Sequence, residues 1–352
     1  MAQPAPKFIA AAVQATPVYL DLEATVDKTI ALVAEAARNG AKLVVFPETW
    51  IPGYPYWAWL GPPAWAMKWV PAYVANSMEL DSEAEARIAA AAAQHDINVV
   101  LGFSERSGGS LYIAQLILDA EGRRVAARRK LKPTHVERTV FGEGDGSHLA
   151  VHDVAGVGRL GALACWEHFQ PLTKFAMYSQ DEQVHAASWP SFASPPEVNQ
   201  LGPDLNDAAN QVYAAEGGCF VVAATTPVTP EIVDLLCESP EQRRLVLPGG
   251  GRSMVFGPDG SRLAAYLAPD EEGLVLAEVD LGLIPLAKAL ADPAGHYARP
   301  DVTRLLFNRE PAPPVSAPAP AAADGDGRVH PSPDAHDGVL STGGLGQPDN
   351  AV

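Results

Sequence analysis

The sequence predicts an α/β fold whose buried sheets are covered by helices, and three observations carry that prediction. Short apolar runs alternate along the chain with segments whose apolar residues recur at helical spacing. The runs are too continuously apolar for strands with one wet face and suit strands buried on both. No repeat of solenoid length interrupts the pattern, so one catalytic domain is the simplest partition.

Taken in order, Phe8–Val13 and Leu43–Phe46 read as buried strands flanking a helix over Asp21–Arg38, where Ala24, Ile30, Ala31, Val33 and Ala34 sit among charged positions. A second helix over Ser82–His95 precedes a strand at Asn98–Phe103. Strands at Leu111–Asp119 and Arg123–Arg129 are joined by the turn-like Ala120-Glu121-Gly122. Then follow strand Arg159–Ala164, helix Pro171–Ser179, strand Val184–Ser188, helix Leu205–Glu216 and strand Cys219–Thr225. Strand Arg252–Phe256, a turn at Gly257–Gly260, strand Leu274–Val279 and helix Leu281–Leu290 close the body. From Pro311 to Val352 there is no aromatic residue, Pro and Gly are frequent, and five aspartates face the lone Arg328. Such a segment buries too little apolar surface to offset its ordering entropy, so residues 1–310 are expected to fold and 311–352 to be a disordered tail.

Composition narrows the function. The chain has 352 residues, 47% hydrophobic and 19% charged, with a formal charge of −17. That charge argues against non-specific binding to nucleic acid or an anionic membrane surface, both of which need a basic footprint. No apolar run approaches the ~18–20 residues that cross a bilayer. The N-terminus has no charged leader followed by a signal-type apolar segment, and a cytoplasmic enzyme is expected. The three cysteines, Cys165, Cys219 and Cys237, are too few and too irregularly spaced for a disulfide framework or a structural zinc site.

Three positions carry candidate chemistry. Gly161-Ala-Leu-Ala-Cys165-Trp-Glu-His168 places a thiol between an apolar strand and a helix opened by Gln170-Pro171, where nearby backbone N–H groups can receive developing negative charge. A buried structural cysteine is the commoner fate, and it fits Cys219 and Cys237 better than Cys165. Glu48 ends the strand Leu43–Phe46 and is either a solvated loop acid or a base whose pKa burial raises. Five of the seven tryptophans (Trp50, Trp57, Trp59, Trp65 and Trp69) follow in a Pro- and Gly-rich stretch, which reads as a pocket lining. Arg128-Arg129-Lys130-Leu131-Lys132 is a solvated cationic face in the usual case; at a strand end, Lys130 can instead meet Glu48 and Cys165, favour the thiolate and stabilise a tetrahedral anion. Glu137 follows in a polar, glycine-rich loop. Spacing leaves open whether these parts converge.

Phe-Pro-Glu48-Thr-Trp, Arg-Arg-Lys130-Leu-Lys-Pro-Thr-His-Val-Glu137 and Gly-Ala-Leu-Ala-Cys165-Trp-Glu-His together resemble, in order and separation, the signature blocks of the nitrilase family. The resemblance spans about Phe8 to Phe307 and includes Ser188-Trp-Pro-Ser-Phe192 and Asp292-Pro-Ala-Gly-His-Tyr297. It implies a four-layer αββα sandwich, with Cys165 attacking a nitrile carbon, Glu48 as general base, Lys130 stabilising charge and Glu137 positioning Lys130 or substrate. It implies no cofactor and no metal. Trp166 after the cysteine points to the nitrile-hydrolysing branch. Tyr54, Trp57, Thr134, Trp166, His168 and Trp189 are the expected substrate-binding residues. Homo-oligomers are implied, as dimers extending into spirals or filaments, with Pro171–Ser179 and the segment after His296 as contacts. The competing readings are an amidase or cyanide-hydrating relative with the same residues, a papain-like pair with His168 as base, and a filament or interaction protein that keeps the fold without activity.

Overall fold

A computed structural model describes residues 6–193, 198–313 and 315. The first sheet is built from β1 (Lys7–Gln14), β2 (Ala41–Val45), β3 (Asn98–Ser107), β4 (Ser110–Leu118) and β5 (Arg124–Arg129). The second takes β6 (His152–Val154), β7 (Gly158–Ala164), β8 (Val184–Ser188), β9 (Phe220–Ala224) and β10 (Met254–Phe256), and the chain then returns to the first with β11 (Gly273–Asp280). The orders are β11-β1-β2-β3-β4-β5 and β10-β9-β8-β7-β6.

The two-residue period of each strand builds the layers. On β1, Phe8, Ala10 and Ala12 pack between the sheets with Val45, Leu160, Ala162, Val184 and Val222. Ala11 and Val13 face the opposite way, toward α1 (Leu22–Arg38) and α2 (Glu83–His95). On the far side, Leu163, Ala187, Val221 and Ala223 pack under α3 (Pro171–Tyr178) and α4 (Pro203–Gly217). Helix, sheet, sheet, helix is the αββα sandwich.

Local chemistry sets the helix ends. Asp21 caps α1 by accepting from the Ala24 N–H, and Ser82 caps α2 by accepting from Glu85. Pro203 opens α4, and Gly218 closes it at φ +56°.

The structure differs from the sequence reading in a few elements. Both sheets are mixed: β1-β2-β3 and β7-β8-β9 are parallel, but β11, β4, β5, β6 and β10 pair antiparallel. The antiparallel β4 is still largely apolar because the sandwich, not parallel pairing, covers both faces over most of its length. Helices Val70–Asn76 and Pro230–Leu236 and strand β6 were not foreseen. The helix expected over Leu281–Leu290 is a 3-10 turn, Leu281–Leu283, followed by Ile284–Leu290, since Pro285 lacks the N–H that would continue one into the other. The described residues through Pro311 form one compact unit. The expected disordered tail lies almost wholly outside the described residues.

β2, β3 and β5 run in one direction, as do β7, β8 and β9. The segments after β2, β5, β7 and β8 meet at one edge of the sandwich.

Candidate active site

At the end of β2, Phe46 still donates its N–H to Val100 (2.8 Å) before Pro47 turns the chain. Gly102 on β3 permits that turn, since a Cβ there would stand 2.0 Å from the Pro47 carbonyl oxygen. Ser188 donates its hydroxyl to the Phe46 carbonyl (2.9 Å), and Glu48 donates its N–H to the Trp189 carbonyl (3.2 Å). Glu48 is thereby stitched to the second sheet.

Along β5 the alternation puts Arg128 and Lys130 on the face toward the second sheet and Arg129 on the other, where it pairs with Glu105 and lies over Tyr112. Lys130 is only 1% exposed, so the cationic cluster is not a solvated face at this position. Its N–H donates to Ile113 (2.7 Å) and its carbonyl accepts from Gly144 (2.8 Å), which fixes where the side chain starts.

Cys165 follows β7 directly at φ +49°, a left-handed conformation that costs a non-glycine residue about 1–2 kcal/mol. Glu167 sits beneath it and accepts from the Ala164 N–H (2.8 Å), the Leu131 N–H (2.9 Å) and Arg128 Nη2 (2.7 Å). One carboxylate thus ties the residue before the cysteine to the residue after Lys130. Arg128 also donates to Gln115 (2.7 Å), which donates to Ser188 Oγ (2.9 Å) and the Leu163 carbonyl (3.1 Å). Burial would raise the Glu167 pKa, but Arg128 and the two N–H donors outweigh it and hold the group below its ordinary value.

Glu48, Glu137 and Cys165 each place an acid oxygen or the sulfur within 4.8 Å of the others. The cation among the acids is the Lys130 ammonium, which donates to Glu137 Oε2 (2.8 Å) and Glu48 Oε2 (3.2 Å). The carboxylates are not equivalent. Glu137 is saturated: Oε2 also accepts from the Thr134 N–H (2.6 Å), and Oε1 from the Tyr54 hydroxyl (2.8 Å). Glu48 Oε1 is buried and has no hydrogen-bond partner.

Burial pushes Glu48 up to about 8, against the pull of Lys130 and with the help of Glu137. Burial also raises the Cys165 thiol well above its ordinary value, with Lys130 and the Trp166 N–H working the other way. For Lys130 burial acts to lower the pKa, yet Glu137 and Glu48 more than compensate and keep it charged. The resting site therefore holds a thiol, a saturated carboxylate, a permanent cation and one acid that keeps its proton at neutral pH and becomes a base as pH rises through about 8.

A cavity opens over Cys165, enclosing about 580 Å³ with its mouth counted. Of the expected substrate-binding residues, Tyr54, Thr134, Trp166 and Trp189 line it. Trp57 does not: it packs edge-on against Tyr73 (5.6 Å) in the apolar cluster beneath the loop. His168 does not either. Its Nδ1 meets the Cys165 carbonyl (2.6 Å) and its Nε2 meets His185 (3.0 Å), which leaves no ring nitrogen for the thiol proton and removes the papain-like pair. Tyr56, Trp59 and Phe192 complete the aromatic lining, and Leu245 and Val246 arrive from a distant segment. The aromatic density after Glu48 signalled the first two; no local signal marks the last pair. Glu167 and Gln115 were also missed, although an acid beside the thiol and a glutamine inside an apolar strand were visible cues.

Residues 9–289 match the carbon–nitrogen hydrolase family. A nitrilase of Pseudomonas syringae pv. syringae is 56% identical over 87% of this chain and 91% of its own length. The chain belongs to the nitrilase family of carbon–nitrogen hydrolases. An aliphatic nitrilase of Rhodococcus rhodochrous is 54% identical over 88% of this chain and 85% of its own length. A carbon–nitrogen hydrolase of Helicobacter pylori superposes with a TM-score of 0.67 at 19% identity, over 84% of this chain and 96% of that one, and shares the fold. The family match begins in β1 and ends in the helix after β11, so it takes in both sheets.

Proposed function

We propose that the chain is a nitrilase that converts an organic nitrile and two waters to a carboxylic acid and ammonia, with Cys165 as nucleophile. The observation that carries the assignment of roles is the buried, unpartnered Oε1 of Glu48, on a carboxyl with an oxygen within 4.8 Å of the sulfur, while Glu137 is saturated with donors. Glu48 takes the thiol proton as Sγ attacks the nitrile carbon. The nitrile nitrogen gains negative charge, which Lys130 stabilises, and then takes the proton to give a neutral thioimidate. Glu48 next removes a proton from the first water as its oxygen adds to the carbon. That proton passes to the nitrogen, and as the C–N bond breaks the hydroxyl proton of the tetrahedral intermediate follows it through Glu48, so ammonia leaves with both hydrogens of the water and a thioester remains. The second water, activated the same way, forms the acid and returns the hydrogen to Cys165. Glu137 holds Lys130 in place throughout, and Tyr54 and Thr134 hold Glu137.

The apolar rings of Trp166 and Trp189 suit the acyl group of the nitrile. A reducing, cytoplasmic setting fits three unpaired, buried cysteines, and among the described residues no helix is long and apolar enough to cross a membrane. Homo-oligomerisation, up to filaments, is supported by apolar side chains left outside: Leu172 on α3 and Tyr297, Val302 and Leu306 after His296 are 68–94% exposed.

The test is release of ammonia and acid from phenylacetonitrile, mandelonitrile, an aliphatic dinitrile and cyanide by wild type and Cys165→Ala. Release by wild type alone is expected. Turnover of the matching amides with no nitrile consumed would overturn the reading and favour an amidase, and formamide from cyanide alone would favour a cyanide-hydrating enzyme.

A further inference from the structure

Behind the nucleophile, four buried side chains that the reaction sequence leaves unused form a continuous chain of hydrogen bonds. His168 Nδ1 meets the Cys165 carbonyl at 2.6 Å, and its Nε2 meets His185 Nε2 at 3.0 Å. His185 Nδ1 meets Glu182 Oε1 at 2.6 Å, and Tyr213 donates its hydroxyl to Glu182 Oε2 at 2.6 Å. None of the four is more than 1% exposed.

The directions of these bonds are fixed by what each atom can do. A carbonyl only accepts, so His168 Nδ1 carries its proton. Burial and the neighbouring His185 depress the His168 pKa well below its ordinary value, so the ring is neutral and its Nε2 is a bare acceptor. His185 Nε2 must then donate. Between His185 Nδ1 and Glu182 Oε1, two lone pairs at 2.6 Å would repel, so one proton sits between them. The pair is therefore neutral overall, which is what burial demands.

The rings are also clamped. Trp189 stacks on His168 with centroids 4.9 Å apart, and Tyr213 stacks on His185 at 3.9 Å. Gly161 on β7, directly opposite His185, makes the room: a Cβ there would stand 1.9 Å from Glu182 Oε1. The chain ends on the one carbonyl that belongs to the left-handed residue at the turn, Cys165.

We propose that His168, His185, Glu182 and Tyr213 are a positioning relay that holds the Cys165–Trp166 peptide group, and with it the nucleophile's backbone, in the geometry that attack requires. A hydrogen bond to its carbonyl also polarises that peptide and strengthens the Trp166 N–H as a donor toward charge forming at the reacting centre. The inference rests on Cys165 being the nucleophile.

Steady-state kinetics and melting temperature of the full-length protein test it, using His168→Leu, His168→Asn, Glu182→Gln, Tyr213→Phe and the double variant His168→Leu/Glu182→Gln. Loss of the relay is expected to lower kcat about 10- to 100-fold, with KM changed less than about threefold. His168→Asn, which keeps a donor for the Cys165 carbonyl, recovers part of that loss. Glu182 acts through His168, so the double variant falls no further than His168→Leu alone. Tyr213→Phe removes a single hydroxyl and gives a smaller loss in the same direction, and it carries the test if Glu182→Gln does not fold.

Folded variants with kcat within about twofold of wild type, multiplicative losses in the double variant, or losses confined to KM or melting temperature would each overturn the relay. Cys165→Ala separates the two claims. If that variant stays active, the nucleophile assignment fails whatever the relay variants do. If it is dead while the relay variants behave as wild type, the relay alone fails.

Discussion

Glu48→Gln should abolish turnover and at the same time stabilise the protein above neutral pH. The carboxyl is 1% exposed, and its pKa moves from an ordinary 4.5 to about 8. Between those values the folded protein holds a proton that the unfolded chain has lost, so stability falls as pH rises, by at most about 1.4 kcal/mol per pH unit. Above pH 8 the penalty is complete and on the order of 5 kcal/mol; below 4.5 it vanishes. Glutamine keeps the volume and an acceptor for Lys130, and it leaves Lys130 and Glu137 as a balanced pair at 2.8 Å. At a fixed scan rate, the variant's apparent melting temperature should exceed that of wild type by a few degrees at pH 8 and match it near pH 5. Ammonia release should fall by about 10²- to 10⁴-fold, the contribution of a general base. Retention of a tenth of wild-type activity would refute Glu48 as the base. A variant less stable than wild type at pH 8 would refute the electrostatic argument.

Removing Lys130 has the opposite effect on stability. Lys130→Met leaves two buried carboxylates facing each other and should cost about 3–5 kcal/mol as well as all activity, measured by urea denaturation and ammonia release. For Glu167→Gln, the buried Arg128 loses its counter-ion, and about 3–5 kcal/mol of stability should go at pH 7. Because the Glu167 pKa is held low, the wild-type protein has that advantage above the ordinary carboxylate range and loses it in acid, so the gap between the two urea midpoints should narrow as pH falls toward 4. The carboxylate form of Glu48 is the active base, so kcat/KM should climb with pH and reach half its maximum near 8; a profile flat from pH 6 to 9 would contradict this.

Much of the fold was legible because the signals are local. The helical spacing of apolar residues in α1, proline at the start of α3 and continuous apolar runs lie within the elements they define or a residue or two from them. Mixed strand direction was not legible, since apolar runs report burial on both faces and say nothing about the partner's polarity.

The sequence by itself determined the chemistry available: a thiol, two acids and a lysine, each at or shortly after a strand end, in the order and spacing of one family. Tertiary structure decided how they divide the work. Glu48 and Glu137 are the same residue type, and only the donors gathered around each one separate a saturated carboxylate from a buried acid with a free oxygen. Arg128 reads as a surface cation, and for Lys130 the solvated reading stands open beside the catalytic one, until the pairing of β5 with β4 turns both between the sheets. His168 lies three residues from the thiol, yet hydrogen bonds from its two nitrogens point it away from the pocket. Residue type is written in the chain one position at a time, whereas protonation and role depend on charges and hydrogen bonds brought from distant segments, as Glu48 and Lys130, 82 residues apart, and Phe46 and Ser188, 142 apart, show. Folding alone brings those segments together.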